Sequence, residues 1–140
     1  MKKVILLFVA IVSLSSITSC SDDDEAAASL VGKWEYSQSG IAANGQDVLF
    51  PYEHTEGCTK DFVQITTTSY ADHEFFNDGG CDVDVETATY TRSGNTLTIG
   101  TGADSYTAQI VTLNGNTLKL NVSSEDLPGI TAVLVLTRVN

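Results

Sequence analysis

Residues 93–122 read SGNTLTIGTGADSYTAQIVTLNGNTLKLNV, and this stretch decides the fold of the chain. Apolar and polar side chains alternate along residues 96–99 and again along residues 117–122. Successive side chains of a β-strand point to opposite faces, so the alternation predicts strands with one buried and one solvated face. The turns at 93–95 and 114–116 contain glycine and asparagine, which accept the positive φ of tight hairpins. The stretch therefore predicts antiparallel hairpins.

Strand-like segments rich in Val, Ile, Thr, Tyr and Phe recur along the rest of the chain,. We predict eight strands, at residues 32–38, 61–68, 70–76, 83–91, 96–100, 105–113, 117–122 and 131–138. Eight short antiparallel strands joined by tight turns predict an all-β domain, either a sandwich or a small up-and-down barrel. One long connection, over residues 39–57, interrupts the series. Connections of that length are often functional.

Two of the predicted strands raise questions of orientation. In the segment 83–91, Val83 and Val85 share one face, which we expect to point to the interior,. Carboxylates on the opposite face lie about 6.6–6.8 Å apart along the strand, too far for a compact calcium cage, so we expect that face to be solvated. They are Asp82, Asp84 and Glu86. The run AVLVL at 132–136 is apolar on both faces, and we expect the chain itself rather than a partner to cover its outer side.

The first 25 residues differ from the rest of the chain. They combine a basic start, a short apolar run at 4–14, the sequence ITSC at 17–20 and the acidic block SDDDE at 21–25. A spanning helix needs roughly 20 apolar residues, so the run is too short to cross a bilayer and is typical of a secretory signal. The segment resembles a bacterial lipoprotein signal, which implies that Cys20 becomes the acylated N-terminus. An ordinary cleaved signal with a coincidental cysteine is the alternative.

This interpretation divides the chain into three parts. Residues 1–19 are the signal peptide, residues 20–29 are the lipidated cysteine with an acidic tether, and residues 30–140 are one β domain. A block of like charge stays solvated, so the simplest role of the block is to hold the domain away from the membrane. The block also resembles an export signal that sends some Gram-negative lipoproteins to the cell surface. We therefore expect a lipid-anchored outer-membrane protein exposed on the cell surface.

The charge of the chain excludes some partners. The formal net charge is −11, and cleavage after residue 19 would remove Lys2 and Lys3, leaving five basic and eighteen acidic residues and a charge of −13. A chain this acidic repels nucleic acid and anionic lipid. We therefore expect no nucleic-acid partner.

Lipidation of Cys20 would leave Cys58 and Cys81 as an even pair in an oxidising compartment,. A disulfide between them is the expected outcome. A metal site or a catalytic thiol is the alternative, but no histidine or cysteine lies at the spacing of a four-ligand zinc set.

The chain lacks the residue patterns of common enzymes. Its two histidines are His54 and His73. His73 lies between two acids, but neighbouring side chains of a strand point to opposite faces and so do not form a dyad. We predict that the protein is not an enzyme and that it uses no cofactor and no metal.

The two ends of the predicted domain resemble the lipocalin family. The segment LVGKW at 30–34 contains Gly-x-Trp, the signature at the start of the first lipocalin strand. The segment LVLTR at 134–138 is similar to the last strand, whose arginine packs over that tryptophan,. The resemblance implies that Trp34 and Arg138 close the base of a barrel and do no chemistry.

The middle of the chain resembles a bacterial lipocalin-like group of lipoproteins. EGCTKD at 56–61 precedes a strand, Cys81 follows, and YTRSGNTLT at 90–98 comes next. The match covers about residues 30–140, and it implies a small antiparallel up-and-down barrel of about eight strands.

A small closed barrel is either filled by side chains or holds one small ligand, and both outcomes stay open here. The first would make the protein a surface interaction or accessory protein that contacts an envelope protein or a glycan. The second predicts non-covalent binding of a small apolar or amphipathic molecule. The candidate ligand or lid residues are Phe50, Tyr52, His54, Tyr36 and Tyr106. The first three lie in the predicted loop, and they either cover the ligand or plug one end of the barrel. The expected interior set is Tyr36, Val63, Ile65, Val83, Val85, Leu97, Tyr106, Ile110, Leu118, Leu120 and Leu134.

Overall fold

The computed structural model describes residues 28–123 and 129–140, which form nine antiparallel strands. The strands are β1 Gly32–Ala43, β2 Gln46–Pro51, β3 Phe62–Ile65, β4 Ser69–Asn77, β5 Cys81–Ser93, β6 Thr96–Ile99, β7 Tyr106–Leu113, β8 Thr117–Ser123 and β9 Thr131–Val139. A short 3₁₀ turn, Gly102–Asp104, precedes β7. Within these ranges, no helix has the length and apolar character needed to cross a membrane. The predicted lipidation site, Cys20, and the acidic block lie outside the described residues.

The strands close into a barrel. Each strand from β3 to β8 pairs with the next one, and β9 returns to pair with β1, which also pairs with β3. Eight strands therefore form a closed up-and-down barrel, and β2 is an additional strand on the second half of β1. This confirms the predicted all-β barrel and excludes the sandwich. The short hairpins after β3, β5 and β7 lie at one end, the base, together with the start of β1 and the end of β9. The opposite end is the mouth.

The prediction of one long loop over residues 39–57 is wrong. β1 continues to Ala43 and returns as β2 after the two-residue turn Asn44-Gly45. Both turn residues have positive φ, 52° and 76°, as the favoured two-residue hairpin requires,. An Asn-Gly pair is a strong hairpin signal, but Gly40 and neighbouring polar residues hide the strand pattern around it.

The β1–β2 hairpin covers the outer side of the last strand. Val133 in β9 is fully buried although it lies outside the interior cluster. Its partner on β1 is Gly40, which pairs on its other side with Leu49 of β2. A side chain on Gly40 would collide with the backbone of β2, so glycine allows the close approach,. Lys119 of β8 forms an ion pair with Asp47 of β2, and the hairpin therefore curls across β9. The expectation that the chain covers this strand is confirmed at Val133.

One apolar cluster fills the lower part of the interior. Its members are Leu30, Trp34, Tyr36, Val63, Ile65, Tyr70, Leu97, Ile99, Ala108, Ile110, Leu118, Leu120 and Leu136. Seven residues of the expected interior set belong to this cluster, and Leu134 packs against it.

The expectation that Val83 and Val85 face the interior is wrong. Their side chains are 46% and 45% exposed. The buried Tyr70 pairs with Ala88, and counting from there in steps of two places the acids of β5, not its valines, on the interior side,. Near the mouth this inner face is open to solvent, so carboxylates can occupy it without losing their hydration.

Arg138 closes the base of the barrel. Its guanidinium carbon lies 4.1 Å from the ring centroid of Trp34, whose side chain is fully buried. Its nitrogens donate to three backbone carbonyls, those of Gly115, Val31 and Ser29. Gly32 has φ of +151°, and a Cβ there would collide with the guanidinium group. The Gly-x-Trp signature therefore has a steric cause, because Gly32 leaves room for the Arg138 side chain that covers Trp34.

We predict that Arg138→Lys lowers the free energy of unfolding by about 1–3 kcal/mol, because an ammonium group cannot reach three separate carbonyls or stack on the indole. Arg92→Lys is the matched control, since Arg92 is exposed and bonds only the nearby Gly94 carbonyl through its Nε. Its effect should stay within about 0.5 kcal/mol. Urea denaturation measures both values, and equal effects would contradict the role of Arg138.

Candidate functional site

A cavity of about 780 Å³ opens at the mouth of the barrel. It is bordered by the inner faces of β1, β4, β6, β7, β8 and β9 and by the loop between β6 and β7. The lining residues are Tyr36, Tyr70, Asp72, Ile99, Ala103, Asp104, Ser105, Tyr106, Thr107, Ala108, Leu120, Val122, Ser123, Ala132 and Leu134. The size lies in the range of small-molecule sites, and an apolar floor with a few polar groups is their usual composition.

Three tyrosines give the cavity its polar character. Tyr36 and Tyr70 are buried, and Tyr106 is 41% exposed at the mouth. Burial raises the pKa of all three hydroxyls, and neighbouring tyrosine or aspartate charges raise it further,. The three side chains are therefore neutral at physiological pH. They offer the cavity hydroxyl groups and aromatic faces.

Asp72 is the acidic residue on the cavity wall with the most unusual surroundings. The Tyr36 hydroxyl donates to its Oδ2 at 2.9 Å. Its Oδ1 is buried and has no hydrogen-bond partner among the described residues. Burial raises the pKa of this carboxyl to about 6, although the Tyr36 hydroxyl and the neighbouring backbone amide of His73 act in the opposite direction. Asp72 is thus ionised above about pH 6 with one oxygen uncompensated.

A second, smaller cavity of about 140 Å³ adjoins Asp72. It is lined by four carboxyl side chains, Asp72, Glu74, Asp84 and Glu86. The acids of β5 lie on a solvated face, as expected, since Asp82, Asp84 and Glu86 are exposed, but Asp84 and Glu86 border the inner side of the mouth, so this face is the inner one and not the outer one. The cause is the same register that turns Val83 and Val85 outward.

The predicted ligand or lid residues separate into two groups. Tyr36 and Tyr106 line the main cavity, whereas Phe50, Tyr52 and His54 line neither cavity. Phe50 is 62% exposed on β2. Tyr52 stacks on Tyr36, with ring centroids 4.8 Å apart and planes 17° apart, so it supports a cavity residue from behind.

His54 is held by backbone groups. Its Nδ1 accepts from the Asp61 amide at 3.0 Å, which leaves the proton on Nε2, and Nε2 then donates to the Tyr36 carbonyl at 2.8 Å,. The buried Asp61 carboxylate accepts from the Phe75 amide at 2.8 Å. His54 therefore fixes the loop between β2 and β3 against the barrel wall.

The predicted disulfide between Cys58 and Cys81 is confirmed. It joins the same loop to the first residue of β5. The Thr55 hydroxyl adds a hydrogen bond to the Phe75 carbonyl at 2.5 Å. Several independent contacts thus hold this loop beside the cavity.

The sequence did not predict Tyr70 and Asp72 as site residues. Tyr70, Asp72 and Glu74 occur at steps of two along β4, which is the signal that places them on one face,. The sequence does not say which face of that strand is internal. His73 lies on the opposite face and stacks on Phe62, with ring centroids 4.3 Å apart.

Comparisons with known proteins agree with this architecture. The sequence model of the lipocalin-like domain matches residues 30–120. The fold is similar to that of a lipocalin-like protein from Bacteroides uniformis, with a TM-score of 0.56 and 16% identity over 79% of this chain and 98% of that one. An uncharacterized protein from Bacteroides eggerthii gives a TM-score of 0.51 and 13% identity, over 79% and 100% of the two chains. No curated protein matches the sequence.

We predict that Asp72→Asn gains stability relative to wild type as the pH rises. The folded-state pKa of about 6 exceeds the ordinary value of 3.8, so the folded protein binds this proton more tightly and loses stability as the pH rises between those values,. The relative gain from about pH 4 to about pH 7 should be roughly 1 kcal/mol, a reduced figure because the side chain is partly solvated. Asparagine keeps an acceptor for Tyr36.

Urea denaturation at the two pH values measures this gain. Asp78→Asn, in the exposed β4–β5 turn, is the matched control and should show the pH dependence of wild type. Parallel curves for Asp72→Asn and wild type would contradict the assignment.

Proposed function

We propose that this chain, which belongs to the lipocalin-like domain family, binds a small amphipathic molecule non-covalently in the cavity at the barrel mouth. The observation that carries the proposal is the cavity itself. The side chains fill only the lower part of the barrel, and about 780 Å³ stays open above them. That volume holds a small molecule, because ligand pockets in proteins measure roughly 300–1,000 Å³.

The lining supports an amphipathic ligand over a purely apolar one. Ile99, Leu120 and Leu134 provide apolar surface. The hydroxyls of Tyr36 and Tyr106 and the carboxyl of Asp72 provide polar groups in the same cavity. Polar groups of this kind fix the orientation of a bound molecule, whereas apolar surface supplies most of the affinity.

We also propose that the protein is a lipoprotein of the cell envelope. The support is the order of residues at the N-terminus, where a basic start, a short apolar run and ITSC precede the acidic block at 21–25. A diacyl or triacyl anchor on Cys20 gives stable membrane attachment, since each buried methylene contributes about 0.8 kcal/mol. The acidic block supports display on the cell surface. The disulfide is consistent with this location, because disulfides persist in oxidising compartments,.

A second candidate function is that of a surface interaction protein. The β1–β2 hairpin exposes Ile41, Val48 and Phe50, which are 46%, 47% and 62% accessible. β2 also pairs only with β1 in the described part of the chain, so its outer edge carries backbone groups that another protein could pair with,. Absence of ligand binding in the experiment below would favour this candidate.

We predict that the domain binds the neutral fluorescent probe N-phenyl-1-naphthylamine and that Ala132→Trp weakens this binding about tenfold or more, because the new indole occupies the mouth of the cavity,. Val111→Trp is the matched control, since Val111 is 50% exposed and lines neither cavity. Fluorescence titration measures both. Failure of the wild-type domain to bind the probe, together with no small molecule in native mass spectra of protein purified from its host, would overturn the proposal.

We predict that the full chain incorporates labelled palmitate and that Cys20→Ser abolishes the label and releases the domain from the membrane fraction. Cys58→Ser serves as the matched cysteine variant and should keep the label. Protease treatment of intact cells should degrade the wild-type protein. Replacement of residues 22–25 by the corresponding amides should protect the protein from the protease. Incorporation of the palmitate label into the Cys20→Ser variant would contradict the lipid anchor.

A further inference from the structure

We infer that the ligand of this cavity is an organic cation, an ammonium group on an apolar body, and that its charge lies beside Asp72. The inference rests on the proposed function, because it assigns a chemical class to the occupant of the same cavity. It is carried by the pairing of acids at the mouth, by the lack of basic groups there, and by the aromatic and apolar lining next to them.

The acids of the mouth face one another across two strands. Asp72 lies opposite Glu86, and Glu74 lies opposite Asp84, in the register of β4 and β5. Like charges directly opposite each other in a sheet are unfavourable. All four side chains border the small cavity, and Asp72 also lines the large one. Four acids are therefore grouped at β4 and β5, and Asp104, in the loop before β7, adds a further acid to the lining of the large cavity.

No basic group compensates this charge in the described ranges. Neither cavity is lined by lysine, arginine or histidine. The ion pairs of residues 28–123 and 129–140 use other acids, namely Glu35 and Asp47. A low-dielectric wall increases the effect of such uncompensated charge on a nearby ligand. A cationic ligand would relieve the repulsion, and an anionic ligand would increase it.

Asp72 and the tyrosines offer the contacts that an ammonium group needs. Tyr36 donates to only one of the two Asp72 oxygens, and the buried Oδ1 has no hydrogen-bond partner in residues 28–123 and 129–140. The aromatic rings of Tyr36, Tyr70 and Tyr106 line the same cavity. Aromatic faces attract ammonium groups, and more strongly where water is excluded. The remaining apolar wall, with Leu120 and Leu134, is left to accommodate the body of the molecule.

A metal ion fits this arrangement less well than an organic cation. The described residues contain no group of three Asp, Glu, His or Cys side chains placed to hold a metal. Calcium and magnesium need several oxygens within about 2.6 Å of the ion, and the acids here do not converge in that way. An alkylammonium group needs no such cage, because its larger and softer charge acts over a longer distance.

The test compares three probes of one length, octylammonium, 1-octanol and octanoate, by competition with N-phenyl-1-naphthylamine at about pH 8, where Asp72 is ionised,. We expect octylammonium to bind about tenfold more tightly than octanol and octanoate to bind most weakly. Raising the salt concentration about tenfold should weaken the binding of octylammonium but not that of octanol.

Two variants assign the preference to the acids. Asp72→Asn should reduce the preference for octylammonium over octanol about tenfold. Glu86→Gln should reduce this preference about threefold. Glu86 is exposed, so folding tolerates the change, and this variant keeps the test valid if Asp72→Asn fails to fold. Asp78→Asn, which lines neither cavity, should leave the preference within about twofold of wild type,.

The outcomes separate this inference from the proposed function. If neither the fluorescent probe nor any octyl probe binds, the proposed function fails and the inference fails with it. If the probes bind but octylammonium has no advantage, or octanoate binds best, the proposed binding function stands and the inference is overturned. A preference that survives in both Asp72→Asn and Glu86→Gln also overturns it.

Discussion

The contact between Arg138 and Trp34 is the constraint on which the rest of the barrel depends. The first and last strands of an up-and-down barrel must meet, and here the last strand brings a guanidinium group onto the indole of the first. The same group bonds carbonyls before β1 and in the turn before β8. One side chain thus joins the first and last strands of the barrel and one hairpin, and the closed base leaves the opposite end of the barrel as the place for a ligand.

The closed base also determines the chemistry of the mouth. Once Trp34 and its neighbours are buried, the alternation of each strand fixes which residues face inward, except where register shifts interrupt β1 and β7,. In β4 this sequence of inward residues runs from Tyr70 through Asp72 to Glu74. On this side of the barrel the inner surface therefore changes from aromatic to acidic towards the mouth, whereas β8 and β9 present apolar residues such as Leu120 and Leu134. A ligand with an apolar body and a polar end matches this gradient in only one orientation.

The sequence allowed most of the fold to be predicted and less of the site. Strands with a regular alternation, such as the one with Leu118 and Leu120, were placed correctly because one of their faces is buried along its length. β5 was oriented wrongly because hydrophobicity alone put Val83 inside. Apolar side chains usually point into a barrel, but this strand lies near an open mouth, where the inner side is hydrated and the outer side tolerates valine. The sequence did not predict β2, because its exposed residues show little alternation of apolar and polar side chains.

The acids at the mouth are more informative about function than about stability. A barrel selected for stability alone would place Asp72 where its carboxyl keeps full hydration or gains a basic partner, because burial without one disfavours the charged form. Instead Tyr36 donates to one oxygen of this carboxyl, and the other is buried without a hydrogen-bond partner in the part of the chain that the structure describes. Three more carboxyl groups lie nearby without a basic partner in the described ranges. The partly buried charge of Asp72 lowers the stability of the empty barrel, whereas the three exposed acids keep their hydration,. The least favourable charge of the mouth thus lies at the position where a cationic ligand would compensate it.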